Sequence, residues 1–153
     1  MKLASTIEKM PIVSVDEGEQ IAVVEELLVG RKSMKVEFLL IKRAGVKIFP
    51  QLLAFKDILG IGGDYIVIKA VDVVKQAKEY INIVSSGEEY LSLTGLRSLS
   101  MTGDIIGSIS DYQIEEKTGA IKSVQLDNMQ EIAGDRIASL SNIALSTTQL
   151  FPM

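Results

Sequence analysis

The chain repeats itself. Residues from Gly103 onward lie over residues from Gly18 onward at an offset of 85, without a gap, as far as Ile143 over Ile58. Asp104 falls on Glu19, Ile106 on Ile21, Ile109 on Val24 and Asp111 on Glu26. Further along, Lys117 falls on Lys32, Thr118 on Ser33, Ile121 on Val36, Val124 on Leu39 and Leu126 on Ile41. Later still, Ile137 meets Leu52, Leu140 meets Phe55 and Asn142 meets Asp57. Only four pairs are identical (Gly18/Gly103, Ile21/Ile106, Lys32/Lys117, Ile58/Ile143), no more than chance gives. The claim rests on apolar, acidic and turn-forming classes staying in step. A repeat of this size makes the chain a tandem of two small similar units, which constrains the fold before any local feature does.

At 153 residues the chain is one ordinary domain or two small ones. A unit of about 70 residues is close to the lower limit for a self-sufficient core, so the two units are expected to need each other. A hydrophobic content of 47% supports globular folding and argues against disorder. Twenty acidic against 16 basic residues give a net charge of -4, which disfavours a general nucleic-acid role. The charge is unevenly divided. Residues 1–78 hold 12 Lys/Arg and 10 Asp/Glu, net +2, while residues 79–153 hold 4 and 10, net -6. Such asymmetry can set a binding face or orient two units, and it fits drift on two solvated surfaces equally well.

The chain has no Cys, hence no disulfide framework and no thiol chemistry. Met1 to Pro11 has no apolar run of signal-peptide length. The longest uncharged run, Ile137 to Met153, is interrupted by Ser, Thr, Asn and Gln, so no membrane insertion is expected. The expectation is a soluble, cytoplasmic protein.

Short β-rich runs end in turn signals. Ile21 to Val29 reads as a strand, broken by Gly30-Arg31-Lys32-Ser33, and Val36 to Ile41 as its partner, stopping at Lys42-Arg43-Ala44-Gly45. Ile105 to Ile114, Glu115 to Gly119 and Ile121 to Leu126 repeat this hairpin. Pro50 to Leu59 and Asp135 to Ala144 each suggest a helical turn. Gly60-Ile61-Gly62-Gly63-Asp64 then turns into a closing strand, Tyr65 to Ala70, with its glycines expected at positive φ. Asp72 to Val84 places Val73, Ala77, Tyr80, Ile81 and Val84 on one helical face, with Asp72 as cap, and reads as a linker helix.

The absence of His and Cys removes Ser–His and Cys–His nucleophiles, the usual zinc sites and the commonest general base near neutral pH. The carboxylates left to consider are Asp57, Asp64, Asp104, Asp111 and Asp127, each in a setting where Asp serves turn geometry. No catalytic, cofactor-binding or metal-binding residue is assigned, and no cofactor. Gly60-Ile61-Gly62-Gly63 lacks the Lys-Ser/Thr of a phosphate loop and the helix that a dinucleotide fingerprint must open. Lys42, Arg43 and Lys47 have no aromatic partners for base stacking and read as a solvated hairpin end.

The stretch Leu96-Arg97-Ser98-Leu99-Ser100-Met101-Thr102-Gly103-Asp104-Ile105-Ile106-Gly107-Ser108-Ile109-Ser110-Asp111 resembles the opening pattern of the PRC-barrel family. Glu116-Lys117-Thr118-Gly119-Ala120-Ile121 resembles its hairpin. In the first copy, Ile48-Phe49-Pro50-Gln51 and Ile58 to Ile68 resemble its closing half. The sequence departs from the pattern where Ala22 replaces the second Gly, and where Gly134-Asp135 replaces Phe49-Pro50.

The resemblance implies a small, strongly bent β-barrel in each unit. It implies kinship with the cytoplasmic part of the reaction-centre H subunit and with the C-terminal domain of a ribosome maturation factor. What it implies of function is docking onto other proteins, with no shared catalytic residue.

The expected fold is therefore mainly β: two tandem PRC-type barrels, 5–70 and 90–153, joined by a helical linker at 71–89 and packed about a pseudo-twofold axis. Ile21, Val24, Ile58, Ile106, Ile109 and Ile143 are expected in the core. The expected function is a non-enzymatic protein–protein adaptor or assembly factor with an unknown protein partner, a homodimer being compatible. The alternatives are an RNA- or ribosome-associated maturation factor and, last, a carboxylate-dependent hydrolase.

Overall fold

Runs of Val, Ile and Leu broken by Gly-rich or charged turns have one economical outcome, a sheet that bends so that its apolar face closes on itself. The computed structural model of the chain describes residues 1–43, 51–75, 90–140 and 144–147. Its first half contains β1 (Lys2–Leu3), the single turn α1 (Ala4–Ile7), β2 (Pro11–Ser14), β3 (Glu19–Gly30), β4 (Val36–Arg43), β5 (Gln51–Ala54), β6 (Ile58–Ile61), β7 (Ile66–Ile68) and β8 (Val74–Lys75). The second contains β9 (Tyr90–Leu91), β10 (Arg97–Leu99), β11 (Ile105–Ile114), β12 (Ile121–Leu126), β13 (Glu131–Ala133), β14 (Ile137–Leu140) and β15 (Ala144–Thr147). Single 3-10 turns stand at Phe55–Asp57, Val71–Val73 and Gly134–Arg136.

The molecule is mainly β, and two curled sheets carry the same strand order. One runs β6-β7-β2-β3-β4-β5-β8 and the other β14-β15-β10-β11-β12-β13. In each, a single parallel pairing (β2 with β7, β10 with β15) sits among antiparallel ones. Even the bulges correspond. The β3–β4 ladder slips between Val24 and Glu26 and between Leu28 and Val29; the β11–β12 ladder slips between Ile109 and Asp111 and between Gln113 and Ile114. Those are the same places at an offset of 85. A bulge bends its strand and increases local twist, which is how each sheet curls.

Left-handed backbone positions pair in the same way. Gly18 and Gly103 both have positive φ, at 67° and 87°, in the turns that lead into β3 and β11. Met34, at 55°, stands where the second sheet has Gly119, at 78°; Lys9, at 67°, stands where it has Gly95, at 93°. The glycines at 60, 62 and 63, by contrast, do not have positive φ. Their hairpin closes through the Gly62 amide donating to the Tyr65 carbonyl without a left-handed glycine.

The offset of 85 does not hold to the end of the chain. Thirteen residues separate Leu39 from its partner Leu53, but seven separate Val124 from its partner Ile132. The second hairpin is six residues shorter, so the offset beyond it is 79. Ile137 is the counterpart of Ile58 rather than of Leu52. Gly134–Arg136 stands at the place of Phe55–Asp57, not of Phe49-Pro50. Of the segments Pro50–Leu59 and Asp135–Ala144, expected to make helical turns, only these single 3-10 turns are helical; β5, β6, β14 and the start of β15 take their other described residues. The segment expected to be helical from Asp72 begins with the Val71–Val73 turn and the edge strand β8, and Asp72 lies inside that turn rather than capping it. Residues 76–89 lie outside the described residues, as do Lys47, Phe49 and Ile143.

The sheets clasp each other reciprocally. Lys2 and Leu3 of β1 pair with Ile114 and Gln113 at the end of β11, while Leu91 and Tyr90 of β9 pair with Val29 and Gly30 at the end of β3. Between them Lys35 bridges Ala120, its own counterpart, with the Val36 amide donating to Gly119 at 2.8 Å and the Ile121 amide donating to Met34 at 3.3 Å. Contacts that exchange partners in this way define a pseudo-twofold axis beside Lys35 and Ala120. One apolar cluster runs through both sheets and includes Ile7, Ile12, Val24, Leu39, Ile66, Leu93, Ile109, Tyr112 and Val124. Of the expected core, Ile21, Val24 and Ile109 are buried, whereas Ile58 and Ile106 are half-buried against its margin.

Candidate functional site

The pseudo-twofold seam opens on one side into a cleft of about 450 Å³, of the size that holds small ligands or side chains. β4 and the residue before it supply Lys35, Val36, Glu37 and Phe38; the end of β5 and the following 3-10 turn supply Ala54, Phe55 and Lys56. β8 adds Lys75, and the β11–β12 turn of the other sheet adds Lys117 and Thr118. Val36, Ala54 and Phe55 are buried, while Lys35, Lys56 and Lys117 are exposed and Lys75 half-buried. The result is an apolar floor with four cations and one carboxylate, Glu37, around it.

The floor is tight. An added Cβ at Gly119 would stand 2.7 Å from the Val36 carbonyl oxygen and 3.2 Å from the Phe55 ring. Phe38 meets Tyr90 edge-on, ring centroids 5.2 Å apart at 82°. That orientation is the preferred aromatic pairing and occupies Phe38 within the protein.

The residues at the equivalent places in the second sheet do not repeat this chemistry. By strand register, Ala120 stands for Lys35, Lys122 for Glu37, Ser123 for Phe38, Gly134 for Phe55 and Asp135 for Lys56. The architecture is shared, while of the cleft's lysines Lys117 alone has a lysine, Lys32, at its equivalent place among the described residues.

The carboxylates considered from sequence are spread out and engaged locally. Asp111 accepts the Ser5 and Tyr112 amides at 3.1 and 2.8 Å and the Ser5 hydroxyl, tying α1 to β11. Asp104 accepts the Thr102 hydroxyl at 2.8 Å, and Asp127 accepts the Ser108 amide at 3.1 Å. Asp57 ends a 3-10 turn, and Asp64 is exposed in the β6–β7 hairpin. Near Asp111, burial raises the Glu8 carboxyl above the usual range, and the charges of Asp111 and Glu26 add to it. Burial likewise pushes the Tyr112 hydroxyl far up, with Glu8, Asp111 and Glu26 contributing. Among the described residues no group of three or more His, Cys, Asp or Glu could hold a metal ion. Lys42 is exposed on β4, Arg43 half-buried.

The family model for the PRC-barrel domain matches residues 1–75. Residues 1–75 are a PRC-barrel domain. No curated protein gives a match. Lys35, Lys56 and Lys75 thus belong to the PRC-barrel domain itself, and Lys117 reaches the cleft from outside it. Sequence reasoning missed these lysines because they come from four separate elements. For Lys35, Lys56 and Lys75 the trace was the +2 balance of the first 78 residues; Lys117 lies in the half of net -6. No helix among the described residues is long and apolar enough to cross a membrane.

Proposed function

We propose that the chain is a non-enzymatic docking module for another protein, made of two PRC-barrels of which the second spans residues 90–153. Shared strand order, matching bulges and paired left-handed positions support the second barrel. The single observation that carries the docking role is the seam. Reciprocal strand pairing and one common core make the two sheets a preorganised body, and the cleft at their junction draws residues from both. Preorganisation lowers the ordering cost of association, which suits an assembly factor. A cytoplasmic setting fits this reading.

The test is capture of partners from native cells by the immobilised full chain, followed by reconstitution with the identified protein. Sedimentation of the purified chain alone separates monomer from homodimer. A defined complex with a protein supports the proposal. Turnover that is lost on replacing Asp104 or Asp111 would instead make the chain a carboxylate enzyme. Tight binding to RNA with a steep salt slope would make it a nucleic-acid factor.

A further inference from the structure

We infer that the lysine-rimmed cleft at the seam binds an acidic segment of a partner protein, one in which carboxylates flank an apolar side chain. The inference rests on the docking reading and names the chemistry of the partner. Four lysines against one glutamate leave the cleft cationic in a chain whose net charge is -4. Fold does not require Lys35 and Lys56, because their equivalent places in the second sheet hold Ala120 and Asp135, whereas the place equivalent to Lys117 keeps a lysine, Lys32. Nor does it require a large aromatic at Phe55, whose counterpart is Gly134.

The kind of anion follows from the lining. Among the described residues no arginine lines the cleft, so the paired, planar recognition that best holds a single phosphate is missing from them. The cations stand on separate elements around an apolar floor, a distribution that matches several carboxylates spaced along a chain. A stacked nucleic acid is a poorer occupant. Phe55 is buried and Phe38 is engaged by Tyr90, so neither offers a free ring to a base. An apolar side chain of the segment would lie on the half-buried Phe38 and the aliphatic stems of the lysines while its carboxylates meet Lys35, Lys56, Lys75 and Lys117.

The experiment uses the full chain and two labelled ten-residue peptides, read by fluorescence anisotropy. One alternates Glu or Asp with Leu and Phe; the other has the same charges with Ser in place of the apolar residues. The first should bind, and the second should bind about tenfold or more weakly. Lys56→Glu with Lys117→Glu should weaken the first peptide by about tenfold or more. Lys32→Glu with Lys122→Glu, at the places equivalent to Lys117 and Glu37, should change it by less than about twofold. All four positions are exposed, and equal melting temperatures show that the variants fold. Absence of peptide binding, or binding indifferent to Lys56 and Lys117, overturns the inference. Tighter binding of a single-stranded RNA oligonucleotide overturns it too. A native partner captured equally by wild type and the Lys56→Glu/Lys117→Glu variant overturns the cleft assignment while leaving the docking role standing.

Discussion

Gly119→Ala should be among the more damaging single-methyl changes in the molecule. Two effects add. At φ 78° the backbone is left-handed, where an L side chain costs about 1–2 kcal/mol. The new Cβ would also stand 2.7 Å from the Val36 carbonyl oxygen, which is backbone and cannot rotate away. Overpacking of this kind costs about 1–3 kcal/mol, giving about 2–5 kcal/mol in all. Gly18→Ala isolates the first effect, since Gly18 has φ 67° and nothing within 4 Å of an added Cβ. It should cost about 1–2 kcal/mol alone. Urea melts followed by far-UV circular dichroism read both. With a slope of about 1–3 kcal/mol per molar urea, Gly119→Ala should lower the midpoint visibly more than Gly18→Ala. Equal losses for the two would show that the seam yields freely and that the contact between Val36 and Gly119 is not a tight one.

Other expectations follow from the shared core, the acidic junction and the clasp. Leu39→Ala and Ile109→Ala remove fully buried side chains from opposite sheets, and each should cost about 2–5 kcal/mol. Amide exchange should accelerate in both sheets for either variant; acceleration confined to one would mean two independent cores. Glu8 has its carboxyl pKa raised in the folded state, so the fold favours its protonated form. Stability linked to Glu8 is therefore present below its ordinary pKa and is lost as pH rises through the raised value. Glu8→Gln should raise the melting temperature at pH 7 and lose that advantage below about pH 4, as thermal scans across pH will show. Produced as separate halves cut within 82–90, the chain should give poorly folded or mutually associating pieces; two stable, non-associating monomers by sedimentation would refute the interdependence of the sheets.

Several elements were legible in the sequence for plain reasons. Ile105–Ile114 and Ile121–Leu126 are the observed β11 and β12 to the residue, because alternation and the Glu115–Gly119 turn leave little freedom. Gly18 over Gly103 was a true equivalence, and both are left-handed. The change of offset after the hairpins was invisible for a specific reason. A strand pattern has a period of two, and an error of six residues is even. Apolar classes therefore stay in step in either register, and Ile137 looks as well matched to Leu52 as to Ile58. Ile58 and Ile106 looked like core because alternation gives the face of a residue but not how near the sheet margin it lies. The cleft was illegible because its lysines converge only through strand pairing and through the crossing of Lys117 from the other sheet.

The reciprocal clasp has a consequence for stoichiometry. Two identical chains meeting about a true twofold axis must display every surface twice, and a partner would find two equal places to bind. Carrying both sheets on one chain removes that obligation. Phe55 and Lys56 could then differ from Gly134 and Asp135 with no penalty to the matching half. Under the proposed docking role, one cationic cleft among the described residues would load a single partner in a single orientation where a symmetric dimer would crosslink two.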